Sequence, residues 1–109
     1  MNGDIDKLIS FITQHFVFDE NTYPELMGAS PKKRLSFAIQ HSALHFAKTA
    51  GKIASVSESV DHGKELNIEE IRENIPKALV NTLRLAELVG MREKEIVQAI
   101  EEKYGKKIK

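Results

Sequence analysis

Cysteine and tryptophan are missing from the 109 residues, and only three prolines and six glycines punctuate them. Without a thiol there can be no disulfide, thiolate metal site or cysteine nucleophile. A small cross-linked secreted scaffold is disfavoured for the same reason. Neither sign of charge predominates, since sixteen Lys and Arg balance sixteen Asp and Glu. That argues against attraction of the whole surface to nucleic acid or anionic membrane and leaves only local patches. No apolar run approaches the roughly 18 residues of a membrane span. The opening Met1-Asn2-Gly3-Asp4 shows no signal-peptide pattern. The expectation is one soluble, cytoplasmic domain over residues 1–109, with a single modest core.

What is present is helical periodicity, with apolar residues recurring at three- and four-residue intervals. A first helix is expected over residues 4–16, with Ile5, Leu8, Ile9, Ile12 and Phe16 on one side. Phe11 and Phe18 lie off that stripe, and Asp19-Glu20-Asn21-Thr22-Tyr23-Pro24 reads as a loop. Ser30-Pro31 is a start signal, a hydroxyl cap followed by proline at the first helical position. The second helix then runs to about residue 59, with Leu35, Ala38, Ile39, Phe46, Ala50 and Ile53 as its core stripe. Gly51 within it marks close packing or a break.

Asn67 followed by Glu70 resembles a reciprocal cap, and Pro76 implies a kink or a fresh start from Asn74. Leu79, Leu83, Ala86 and Val89 line one face of the third helix, which Gly90 ends. A fourth helix is expected over residues 92–104, with Gly105 stopping it and a solvated tail Lys106-Lys107-Ile108-Lys109. The fold class predicted is all-α, a small antiparallel four-helix bundle. The second helix would be about 40 Å long at 1.5 Å per residue. The shorter helices cannot cover it, so a second copy of the chain is expected to, as a homodimer.

Four segments carry a family resemblance. Lys48-Thr49-Ala50-Gly51-Lys52-Ile53-Ala54 has the small-residue frame of a first helical motif, and Asn74-Ile75-Pro76-Lys77-Ala78-Leu79-Val80 occupies the place of a second. Leu83-Arg84-Leu85-Ala86-Glu87-Leu88-Val89-Gly90-Met91 then gives a helix and turn, followed by Glu95-Ile96-Val97-Gln98-Ala99-Ile100-Glu101-Glu102-Lys103. Together they resemble the MazG-like branch of the all-α nucleoside triphosphate pyrophosphatases over about half the chain. That resemblance implies a helical fold, a dimer, and carboxylates on two helices that hold Mg²⁺ for hydrolysis. Here the matching positions hold Lys48, Thr49, Lys52, Asn74 and Lys77, none of them acidic. At about 5 Å and an effective dielectric near 20, an ammonium and Mg²⁺ repel by about 6 kcal/mol. The expectation is a catalytically degenerate member with a binding or assembly role and no cofactor. Mg²⁺ would be needed only if other acids, such as Glu58, Glu65, Glu69, Glu70 or Glu73, restored hydrolysis.

His41, His45, Lys48 and Lys52 form one continuous stripe on the second helix, and Lys77, Asn81 and Arg84 another on the third. Brought together, they would make a cationic cleft for a nucleotide or another phosphate-bearing ligand. The anion-binding candidates are therefore Lys48, Lys52, Lys77, Arg84, His41 and His45; an ordinary solvated basic face is the plainer alternative. His41 and His45 also have chelating spacing, but two ligands do not make a metal site. No phosphate-binding glycine loop, Rossmann fingerprint or G-x-S-x-G occurs. Residues 83–100 also resemble a helix-turn-helix, yet Arg92-Glu93-Lys94-Glu95 would open its recognition helix with balanced charge. DNA is accordingly not the expected partner.

Overall fold

The caps read from the sequence determine where the helices begin. In the computed structural model, which describes residues 3–108 and side chains as far as Gly105, Ser30 Oγ accepts from the backbone of Lys33 at 3.2 Å. Pro31 follows it, and α2 runs Pro31–Asp61. Asn67 Oδ1 accepts from Glu70 N at 3.1 Å and opens α3, Ile68–Leu88. Helix α1 spans Asp4–His15 and α4 spans Glu93–Ile108, and a short 3₁₀ turn, Pro24–Leu26, lies between α1 and α2. The described chain is all-helical, with four α-helices and no strand.

Two helices end alike. Lys64 N reaches Ser59 O at 3.1 Å and Gly63 N reaches Val60 O at 3.0 Å; Met91 N and Gly90 N repeat the pattern on Ala86 and Glu87. Both turns need a left-handed residue, and Gly63 and Gly90 supply it with φ of 82° each. Gly51 and Gly105 do not take positive φ, and α2 and α4 pass straight through them. The stop expected at Gly105 is therefore corrected: glycine weakens a helix by about 1 kcal/mol but ends one only where the backbone turns left-handed. Pro76 likewise sits inside an unbroken α3. Of the tail expected to be solvated, the backbone of 106–108 continues α4, while Lys109 and the side chains of 106–108 lie outside the described residues.

Helix α3 is the centre of the bundle, with α2 packed along it as an antiparallel hairpin and α1 against its other side. The α1 contact holds the hydrophobic core, Ile9, Ile12 and Leu83, joined by Ile5, Val80 and Ile96. The α2–α3 seam is more extensive but is built on smaller side chains. Ala38, Ser42, Thr49 and Val56 are its buried residues on α2, and Asn81 Nδ2 donates across to Thr49 Oγ1 at 3.3 Å.

Much of the expected core is not covered. Leu35, Phe46, Leu79 and Val89 are 45%, 39%, 48% and 60% exposed. Their periodicity marks an apolar face correctly, but no other described helix lies over it. The radius of gyration, 17.1 Å, exceeds the roughly 13 Å of a compact chain this size. The molecule measures 51 × 38 × 21 Å. Among the described residues no helix is long and apolar enough to cross a membrane.

Candidate functional site: an aromatic cavity around Arg84

After α1 the chain doubles back through residues 16–23 and lays Phe18 and Tyr23 against α2. Phe18 stacks on Tyr23 with centroids 5.4 Å apart, and Tyr23 meets Phe37 and His41 edge-on at 5.2 and 5.1 Å. Tyr23 Oη and His41 Nε2 share a hydrogen bond of 3.2 Å, and His45 lies one turn on, 4.6 Å from the His41 ring. The Asp19–Thr22 turn shapes this return: Asp19 Oδ1 accepts from Thr22 N at 2.9 Å and Asp19 O from Tyr23 N at 2.8 Å. That bond holds the exposed Asp19 carboxyl below its ordinary pKa.

Between this loop and the α2–α3 seam lies a cavity of about 310 Å³. Its walls are Phe16, Phe18, Tyr23, His41 and His45, with Ser42 from α2 and Val80, Asn81 and Arg84 from α3. Arg84 is 8% exposed, its guanidinium 4.0 Å from the Phe18 ring centroid and 5.2 Å from that of Phe16. Nη2 donates to the Phe16 carbonyl, but Nη1 has no partner. Ser42, 1% exposed, has an unpartnered hydroxyl as well.

Among the described residues no acidic side chain lines the cavity, and Arg84 forms no ion pair. Burial lowers the Arg84 pKa, opposed by Tyr23 and Glu87, and the group stays charged. Burial also pushes His41 below the ordinary histidine value, helped by the neighbouring His45 and Arg84 and opposed by Glu25. Near pH 7 His41 is neutral, and Arg84 is the one Lys or Arg among the described walls.

The six residues expected to bind an anion do not share one site. His41, His45 and Arg84 line the aromatic cavity. Lys52 and Lys77 face a separate groove of about 340 Å³ together with Asn67, Asn74, Glu69, Glu70 and Glu73. Three carboxylates offset two ammoniums there, and Lys77 Nζ lies 3.8 Å from Glu73 Oε1. Lys48 is exposed on α2 and lines neither. Of the considered acids, Glu69, Glu70 and Glu73 line this groove together, whereas Glu58 pairs with His62 at 3.8 Å on the surface, away from it. Among the described residues no three His, Asp or Glu side chains are gathered for a metal ion.

Phe16, Phe18, Tyr23 and Ser42 were not foreseen as site residues. A signal existed, since seven Phe and Tyr serve the whole chain and three of them fall within residues 16–23. This geometry defines an all-α protein with an acid-free aromatic cavity beside a helical hairpin. Compared with known proteins, the chain matches no family model, no curated protein and no solved structure.

Proposed function

We propose that this chain is a non-catalytic, anion-binding helical protein that works as a homodimer, a degenerate relative of the MazG-like pyrophosphohydrolases. One observation carries the binding role: a buried arginine with an unpartnered nitrogen in a cavity without a carboxylate. An uncompensated buried cation is costly, and an arriving anion removes that cost. Kinship with the MazG-like proteins points to a nucleotide or another phosphate-bearing molecule. It rests on the Leu83–Met91 helix and turn and on the small-residue frame of Lys48–Ala54. A helix-turn-helix role is less favoured, because Arg92 and Glu93 are engaged with α1, at 3.1 Å and 2.9 Å from Asp6 Oδ1.

The homodimer follows from where the apolar residues fall. Successive residues turn by about 100° around a helix. Measured from the Thr49–Asn81 seam, His41 and His45 on α2 and Val80 and Arg84 on α3 turn the same way, towards the cavity. Phe46, Ala50 and Ile53 on α2, and Ile71, Ile75, Ala78 and Val89 on α3, turn the other way. The opposite side of the hairpin is therefore one apolar face. Two helix widths of about 10 Å by a length of about 30 Å project roughly 600 Å². With its corrugations the face nears the ~800 Å² per partner of a stable interface. A second copy presents the same self-complementary surface.

Isothermal titration with inorganic phosphate, nucleoside triphosphates and simple carboxylates, without Mg²⁺, tests the binding role. Saturable heat that disappears in Arg84→Met supports it, and absence of heat with every anion sinks it. Pyrophosphate release that depends on Mg²⁺ would instead restore the enzyme.

A further inference from the structure

We propose that the cavity beside Arg84 takes a small flat aromatic monocarboxylate, its carboxylate held by Arg84 Nη1 and Ser42 Oγ and its ring lodged among Phe18, Tyr23 and His41. This narrows the anion-binding reading above and rests on it, but it does not require the dimer. Three observations converge. Two polar atoms in the walls are buried and unpartnered, one a charged donor and the other a hydroxyl that can donate. Both residues line the same cavity, and two donors match the two oxygens of a carboxylate. The remaining walls are mostly rings, which present flat apolar faces to a flat partner.

Charge decides between anions. Among the described residues Arg84 is the only Lys, Arg, Asp or Glu in the lining, and Lys48, Lys52 and Lys77 all lie outside it. One negative charge is neutralised; the second or third charge of a phosphate monoester or a triphosphate would be buried among rings without a counter-charge. A neutral His41 adds no second positive charge at pH 7. Volume agrees, because about 310 Å³ is at the lower end of small-molecule pockets and suits one or two fused rings. Arg84 Nη1 is sealed from water in the ligand-free chain, with the guanidinium against the Phe16 and Phe18 rings, so a ligand must shift one of these side chains to reach it. Residues 16–18 lie outside any helix.

The test is calorimetric titration of the whole chain with benzoate and indole-3-acetate, beside benzyl alcohol, inorganic phosphate and phenyl phosphate. The expected result is saturable binding of at least one carboxylate and none of benzyl alcohol. Ser42→Ala should weaken that binding about tenfold and Arg84→Met abolish it, with Lys94→Ala unchanged and far-ultraviolet dichroism showing each variant helical. If Arg84→Met does not fold, the Ser42→Ala loss and the ligand series decide alone. Phenyl phosphate binding through Arg84 while both carboxylates fail overturns the ligand class and leaves the anion site standing. No binding by any anion overturns both, and carboxylate binding that survives both substitutions overturns the placement.

Discussion

Asp6 and Glu93 cap each other's helices. Glu93 Oε1 accepts from Ile5 N at 2.9 Å at the start of α1, and Asp6 Oδ1 accepts from Glu93 N at 2.9 Å at the start of α4. Each carboxylate sits at the positive end of the other helix, and Arg92 Nε joins Asp6 at 3.1 Å. Gly3, which precedes α1 without a side-chain cap, leaves the space the Glu93 carboxylate fills. Asp6→Ala and Glu93→Ala should each cost about 1–2 kcal/mol in urea unfolding. The double variant should cost less than their sum, because the two caps hold one junction. Strict additivity would show the two to be independent.

Gly3→Ala should be destabilising at the same junction. A Cβ there would meet the Glu93 carboxyl group, which must swing away and release Ile5 N. The change should lower the urea midpoint in an otherwise native chain and have almost no effect in a Glu93→Ala background.

Acidification should destabilise the protein through His41. Its folded pKa lies below its unfolded value, so between the two the unfolded chain binds more protons and stability falls as pH is lowered. The stabilisation is complete above about pH 6.5 and is lost as pH drops through the depressed folded value. His45 and Arg84 reinforce the depression, Glu25 opposes it, and the Tyr23 hydroxyl bonds the ring. Melting temperatures at pH 7.5 and 5.5 should differ less in His41→Gln than in the native chain.

Arg84→Met should leave the ligand-free protein as stable as before or stabilise it by about 1–4 kcal/mol. It exchanges a buried guanidinium with an unpartnered nitrogen for an apolar side chain that Phe16 and Phe18 can cover. Thermal unfolding without ligand measures this. A large loss would mean that Arg84 is there chiefly to bond the Phe16 carbonyl.

Phe46→Glu and Ile75→Glu should give monomers by light scattering while keeping helical dichroism. These side chains are 39% and 55% exposed on the uncovered side of the hairpin, so the charge costs the single chain little and an interface a great deal. A native chain that is monomeric at high micromolar concentration would remove the dimer.

The helices were legible because their signals are local. Ser30-Pro31, Asn67 with Glu70, and Gly90 each place a bonding group within four residues of the backbone it satisfies. Pro76 and Gly105 misled because a breaker only raises the cost of a helix, and neighbouring turns can absorb it. Leu35 and Val89 were rightly seen as a face, but periodicity does not say what covers a face. The cavity was half legible. His41 and His45 share helical spacing on α2, as Asn81 and Arg84 do on α3, whereas Phe18 and Tyr23 join them only because the Asp19 turn returns the loop, a contact without any period in the sequence.

The α2–α3 seam, built on residues as small as Ala38, Ser42 and Thr49, has a thermodynamic consequence. Much of the oily surface that could drive folding faces outward, so an isolated copy holds little reserve against thermal opening. Where a second copy closes that surface, dilution acts as a denaturant and the melting point climbs with the logarithm of protein concentration. Abundance would then set the fraction of chains that are folded, and scarce copies would be the first lost to proteolysis.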